Sequence, residues 1–290
     1  MNPQSRGHAA TLRSRGGFFR IGPRARVVVS GSDALRYLNG QLTVDVARLE
    51  PESSRSALLL TAKGKICIPV FVVKHPDGFL LEAPAELRDE LAARLERYII
   101  ADDVVVTDDS VENAGFHVFG PPLQKSTISR VGLPGTDLPT PPANVTELTP
   151  GEVELLRIAA GIPAWSRELD ADTLVQEARM DHASVDFDKG CYVGQEVVSR
   201  LKSVGRVNRL LHGFVAEGNC PITHPLRLAP ETQPDAAAGT LTSSAHDFEL
   251  ARTLALGYLH RNFETFNRFL AIDPAGQVVA KVEKRELPIP

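Results

Sequence analysis

One stretch concentrates the residue types that can do chemistry: Phe187-Asp-Lys-Gly-Cys-Tyr-Val-Gly-Gln-Glu-Val-Val-Ser-Arg200. Two glycines bracket a cysteine and a tyrosine, so the backbone can turn tightly there or approach another molecule closely. Beyond Gly194, the apolar Val197, Val198 and Leu201 recur at helical spacing. Gln195 and Glu196 then fall in a first helical turn, where the helix dipole favours an acid. Cys191 stands just before that helix. Free backbone N–H groups there, helped by Lys189 or Arg200, would favour its thiolate and make it a nucleophile or redox centre. Asp186, Asp188 and Glu196 oppose this. The alternative is a buried cysteine packed at a strand-to-helix turn, because a free cysteine usually behaves as a small hydrophobe. Both readings stay open at the level of sequence.

Other chemistry is sparse. The chain has no P-loop, no G-x-G-x-x-G after a strand, no H-E-x-x-H and no G-x-S-x-G. Its eight histidines are scattered singly and read as surface or hydrogen-bonded side chains. Asp102-Asp103 can act as a turn cap or a general base, and its place between a helix and a strand favours the cap. The three cysteines, Cys67, Cys191 and Cys220, show no CxxC spacing. They predict reduced thiols in a cytoplasmic protein, with no disulfide framework and no metal or cluster site built from this chain alone. Trp165, the single tryptophan, follows Gly161-Ile-Pro163 and serves either to report ligand entry or to pack.

The elements that must position these residues follow from periodicity and punctuation. Arg24 to Gly31 reads as a strand and turn, and Ser32-Asp33 can cap a short helix through Ala34, Leu35 and Leu38. Ala57 to Thr61 and Ile66 to Val73 form a hairpin around Lys63-Gly64-Lys65, and Phe79 to Glu82 adds a third strand. Leu87, Leu91, Leu95 and Ile99 mark an amphipathic helix from about Ala85. Val104 to Thr107 and Phe116 to Phe119 are strands. The proline-rich stretch 133–150 reads as an interdomain connector, and Glu152 to Ala160 as a helix stopped at Gly161. After Gly205, short apolar runs separated by turn residues suit a small antiparallel barrel or sandwich. Met1 to Arg26 holds six arginines and no acid, which predicts a flexible basic tail over residues 1–20.

With 290 residues, 43% hydrophobic and 23% charged, the chain can bury one large core or several small ones. A net charge of -4 gives no chain-wide reason to bind nucleic acid or an anionic membrane. The longest apolar run, Ile68 to Val73, falls far short of the ~20 residues of a spanning helix.

Lys189-Gly-Cys-Tyr-Val-Gly-Gln-Glu196 resembles the K-G-C-Y-x-G-Q-E signature of the YgfZ family, folate-binding proteins related to the glycine-cleavage T-protein. Gly31 to Val46 is similar to the family's G-x-D-A-x-x-F-L-x-G-Q-x-T-x-D-V, and Leu60-Thr-Ala-Lys-Gly-Lys65 matches its L-x-x-x-G-[RK] turn. Leu156-Arg-Ile-Ala-Ala-Gly-Ile-Pro163 resembles the L-R-x-E-x-G-x-P helix end. Gly205 to Leu211, Gly239 to Ser243 and Leu256-Gly-Tyr258 fit the family's C-terminal barrel, so the resemblance covers about residues 21–285.

The resemblance implies an α+β, GcvT-like folate-binding fold. Two mixed subdomains within 21–205 would surround a central cleft, with a β-barrel over 206–290. It further implies a tetrahydrofolate-binding accessory factor that assembles, maintains or repairs iron–sulfur clusters in client enzymes; the charge balance and short apolar runs add the expectation of no nucleic-acid or membrane partner. Cys191 would be the redox or cluster-handling thiol, with Lys189, Gly190, Tyr192, Gly194, Gln195, Glu196 and Arg200 shaping its surroundings. A single thiolate cannot complete a cluster site, so any such contact would be shared with a partner. The alternatives are a T-protein-type aminomethyltransferase and a folate-independent thiol or scaffold protein. One departure is that Ala159 replaces the T-protein Glu that reaches the pterin donors, a loss worth about 1.5–3 kcal/mol if nothing compensates. Gln176 and Glu177, in a run similar to the family's P-Q-E-A-N, are the candidate compensating cofactor contacts.

Overall fold

Strict alternation builds the central layer. In the computed structural model, which describes residues 7–51, 53–121, 123, 127–203, 205–222 and 225–288, five antiparallel strands lie in the order β3-β4-β5-β2-β6. They are β2 (Arg24–Ser30), β3 (Ser54–Leu60), β4 (Ile66–His75), β5 (Gly78–Pro84) and β6 (Val105–Asp108). Ala25, Val27 and Val29 of β2, Val70 and Val72 of β4, and Leu81 and Ala83 of β5 point to one face. There they pack under α2 (Ala34–Gln41) and α3 (Arg88–Glu96) through Leu38, Leu91 and Leu95. The other parity, Arg24, Phe71, Glu82 and Pro84, faces away from that core and carries polar and aromatic side chains.

Leu58, Leu60 and Ile66 at the hairpin end of β3 and β4 need a cover of their own. The 169–198 segment supplies it through Leu169, Val175, Ala178, Val185, Tyr192 and Val198. The signature motif is therefore part of a second core against the hairpin.

A three-stranded antiparallel sheet, β1 (Gly17–Arg20), β7 (Phe116–Phe119) and β8 (Gly135–Leu138), forms the second layer. It packs with α1 (His8–Arg15) and α4 (Pro150–Ala160) through Leu12, Phe19, Phe119, Leu148 and Leu156. Thr149 closes a capping box with Glu152, Pro150 takes the first turn, and Gly161 ends α4 in the left-handed region at φ 74°.

This layer corrects two expectations. Residues 7–20 are a helix and a strand, not a flexible tail, because Leu12 is fully buried and Asp247 accepts from the His8 and Ala9 amides at 2.8 and 3.1 Å. The remainder of the expected tail, residues 1–6, lies outside the described residues. The 133–150 stretch is not a bare connector either: β8 sits inside it, and Leu148 joins the core.

The C-terminal region is the expected antiparallel barrel, closed by six strands in the order β10-β11-β12-β9-β14-β13. They are β9 (Arg209–Glu217), β10 (Leu226–Pro230), β11 (Gly239–Asp247), β12 (Arg252–His260), β13 (Arg268–Ile272) and β14 (Val278–Arg285). Phe214, Leu228, Leu259 and Phe269 fill it. The short, Pro-terminated β10 carries little strand signal of its own and is held by its pairings with β11 and β13. Preceding β9, α5 (Gln195–Ser203) carries the end of the signature. Among the described residues no helix is long and apolar enough to cross a membrane.

Candidate functional site: an exposed thiol on a clamped loop, and a cleft

Within the signature, Lys189 and Tyr192 are buried while Gly190 and Cys191 between them are exposed. Lys189 turns inward, and its ammonium donates to the carbonyls of Asn39, Leu42 and Val44 at 2.8, 2.6 and 2.8 Å. Its Nζ also lies 5.3 Å from the centre of the Tyr192 ring. Burial pushes Lys189 down to about 8, which still leaves it mostly cationic at neutral pH. Asp186 secures the loop a second time, accepting from the Asp45 amide at 2.7 Å and from both terminal nitrogens of Arg55 at 2.6 and 2.8 Å. The Val193 amide donates to the Gly40 carbonyl at 3.1 Å. Tyr192 is buried in the second core, and burial pushes its phenol up to about 12.

Gly194 adopts φ 86°, and a Cβ there would lie 2.6 Å from the Thr61 carbonyl oxygen. The loop can therefore reach the hairpin turn only with glycine at this position. Against this rigid backing, Cys191 is exposed. A Cβ at the neighbouring Gly190 would meet no heavy atom within 4 Å. The buried-cysteine reading is thus overturned, and so is Lys189 as a neighbour assisting the thiol. α5 begins at Gln195 with Glu196 in its first turn, and Glu196 and Arg200 are exposed. Among the described residues no three His, Cys, Asp or Glu side chains converge as a metal site.

Gln176 and Glu177 are engaged by α5 and the barrel. The Gln176 amide donates to the Val198 carbonyl at 2.9 Å, and Glu177 pairs with Arg209 of β9 at 3.1 Å. Ala159 sits in the last turn of α4, where its carbonyl accepts from Arg285 at 3.4 Å. Asp102 and Asp103 serve the turn as the sequence suggests. Asp103 accepts from the Ser32 amide and hydroxyl at 3.1 and 2.8 Å, which holds its carboxyl below the usual range.

Apart from Trp165, the cleft is lined by residues that sequence inspection passed over. Two adjoining cavities of about 510 and 630 Å³ share Pro23, Arg24, Phe71 and Arg130, within the size range of small-molecule sites. Pro69, Phe71 and Pro84 come from the outward face of the five-stranded sheet, and Ile162, Trp165, Leu169 and Met180 close the smaller cavity opposite. The lone tryptophan both lines the cleft and packs against the two neighbouring cores. Glu82 is buried and paired with Arg24 at 3.0 Å and with Arg130 at 2.7 Å. Arg130 also reaches Asp137 at 2.6 Å and stands 5.2 Å from the centre of the Phe71 ring. Burial opposes its charge, yet the bonds from Asp137 and Glu82 win and hold the guanidinium's pKa up. One signal was available: Glu82 is a carboxylate inside an otherwise apolar strand.

Comparison with known proteins places this arrangement. Over 233 residues, 68% of this chain and 70% of the relative, the sequence is 29% identical to the tRNA-modifying protein YgfZ of Sodalis glossinidius (strain morsitans). The chain is similar to YgfZ proteins. A second YgfZ, from Enterobacter sp. (strain 638), is 29% identical over 64% of this chain and 68% of its own length. An iron-sulfur cluster assembly factor IBA57 homolog, mitochondrial, from Pyricularia oryzae is 28% identical over 67% of this chain, which spans only 56% of that protein. No family model matches the chain. The glycine cleavage system aminomethyltransferase T of Bartonella henselae superposes with a TM-score of 0.78, covering 97% of this chain and 88% of its own, at 19% identity. That likeness shows the GcvT-like fold.

Proposed function

We propose that this protein is a tetrahydrofolate-binding accessory factor for the assembly, maintenance or repair of iron–sulfur clusters in client enzymes, acting through Cys191. The observation that carries this reading is an exposed thiol on a loop whose backbone is fixed from behind by Lys189 and Asp186. A structural cysteine would be buried, whereas one presented to a partner must be accessible and held still. Cys191 contributes one thiolate, and the remaining ligands of any cluster come from the partner. The names of the relatives point to tRNA modification and to iron–sulfur assembly. Both agree with a factor whose iron–sulfur clients include tRNA-modifying enzymes.

The cleft fits a folate. Phe71, Trp165, Leu169 and Met180 give flat apolar walls for the pterin and aminobenzoyl rings. Glu86 offers a carboxylate to a donor edge, and Arg24 and Arg130, held from behind by the buried Glu82, offer cations to an anionic one. When bound, tetrahydrofolate supplies a carrier for one-carbon units. Ala159 places no carboxylate at the helix end, which favours the accessory role over aminomethyl transfer.

Calorimetry with tetrahydrofolate under reducing conditions, on wild type and Cys191→Ser, tests both halves when combined with a client-activity assay in cells lacking the protein. Saturable binding by both forms, with client activity restored only by the wild type, is the expected result. Folded protein that binds no folate would remove the folate half. Full rescue by Cys191→Ser would remove the thiol.

A further inference from the structure

His117 of β7 is fully buried, with the Phe19 and Phe119 rings beside it. Across the register on β8 stands Asp137, whose Oδ1 lies 2.8 Å from the imidazole Nδ1. An ionised carboxylate can only accept, so Nδ1 carries the proton and Nε2 is left as a bare acceptor. Nε2 finds no donor among the described residues. Gly135 closes that side of the ring: a Cβ there would lie 2.5 Å from Nε2. Burial pushes the imidazole down from its ordinary range against the pull of Asp137, so it is neutral at neutral pH. An apolar ring would fill the same place with no nitrogen unpaired. What the histidine adds is its one bond to Asp137.

That bond seals the inner end of a row of alternating charges. Asp137 Oδ2 accepts from Nε and Nη2 of Arg130 at 3.0 and 2.6 Å. Arg130 Nη1 reaches Glu82 Oε1 at 2.7 Å, and Arg24 Nε shares that oxygen at 3.0 Å. Burial works against the charge of Asp137, yet the bonds from His117 and Arg130 outweigh it and hold its carboxyl below the usual range. Two carboxylates thus balance two guanidinium groups, and each bond in the row polarises the next. The row crosses layers, from β7 and β8 of the three-stranded sheet, through Arg130 in their connection, to β5 and β2. Its outer end is open. Arg24 is 22% exposed, lines both cleft cavities and spends only Nε on Glu82, so its terminal amino groups make no hydrogen bond among the described residues.

We infer, resting on the folate reading of the cleft, that His117 is a positioning residue for ligand capture. By fixing Asp137, it sets the angle at which Arg130, and through Glu82 also Arg24, present unspent N–H groups to an acceptor oxygen of the folate. His117 lines neither cavity and acts only through the row.

Two substitutions separate positioning from packing. His117→Asn keeps an N–H donor near the place of Nδ1 but leaves a void, whereas His117→Phe fills the aromatic surroundings and removes the donor. The full chain is titrated with tetrahydrofolate by calorimetry under reducing conditions. His117→Asn should bind within about twofold of the wild type, and His117→Phe should bind about fivefold more weakly. The second readout needs no ligand: the Arg130 Nε–H resonance in proton–nitrogen NMR, assigned by its loss in Arg130→Lys. It should exchange slowly in the wild type and in His117→Asn, and become fast or broadened in His117→Phe. His117→Leu, smaller and equally without a donor, gives the same reading if the phenylalanine is not accommodated. Unchanged affinity in the folded donor-less variant overturns the inference and leaves the folate reading standing, and so does equal weakening in both variants, which marks packing alone. Failure of the wild type to bind removes the folate reading, and an Arg130 signal that does not respond to loss of the donor overturns the positioning itself.

Discussion

Lys189 and Cys191 stand two residues apart and do opposite work. The lysine is the structural member of the signature: three backbone carbonyls share its ammonium, one of them 150 residues away in sequence. Replacing it with methionine leaves those acceptors unpaired, so Lys189→Met should lower unfolding stability by about 3 kcal/mol in urea titrations. Cys191 touches little, and Cys191→Ser should change stability by less than about 0.5 kcal/mol. A comparable loss from Cys191→Ser would show the thiol to be structural after all. At this scale the sequence marked the right octapeptide but could not say which side chain faces in. That depends on which carbonyls the fold leaves without partners.

Among the elements, the loop-to-hairpin contact is the one the signature glycines serve. Gly194→Ala forces a left-handed non-glycine residue against the Thr61 carbonyl, at an expected cost of about 2–3 kcal/mol. The matching Gly190→Ala meets open space and should be near neutral in the same thermal melts. The N-terminal helix gives a second case. α1 has no cap of its own and borrows the Asp247 carboxylate from the far end of the chain. Asp247→Ala should therefore cost about 1–2 kcal/mol, with faster amide exchange concentrated in residues 8–12. Exchange spread evenly over the chain would count against this capping role. The arginine-rich composition here suggested a tail, because a cap 239 residues distant leaves no local pattern.

Across the molecule, Glu168 joins the layers. Its fully buried carboxylate accepts from Arg157 at 2.9 Å, from the Ala164 amide at 3.0 Å, and from the Thr242 and Ser243 hydroxyls of β11 at 2.6 Å each. Glu168→Ala should cost about 3–5 kcal/mol and bring forward a separate barrel transition in calorimetry; a single transition at the wild-type temperature would show the barrel is held otherwise. The pH dependence is also global. His212 is depressed to about 4, below the ordinary 6.5, so the unfolded chain binds its proton first. Stability is then constant above pH 6.5 and falls between 6.5 and 4, by on the order of 1–2 kcal/mol from this residue. That part of the acid slope should vanish in His212→Asn.

By itself the sequence determined the alternating strands, the helix stops, the barrel strands with strong apolar runs, and the signature loop, because each is written in neighbouring residues. Its octapeptide also determined the family resemblance. Only the tertiary structure decided that Cys191 is exposed, that residues 8–20 are ordered, and that Arg24 and Arg130 line one cleft over the buried Glu82. Those outcomes depend on groups brought together from distant positions, and on which faces remain after the apolar ones are buried. Parity along a strand says that two faces differ, but packing decides which of them becomes the site.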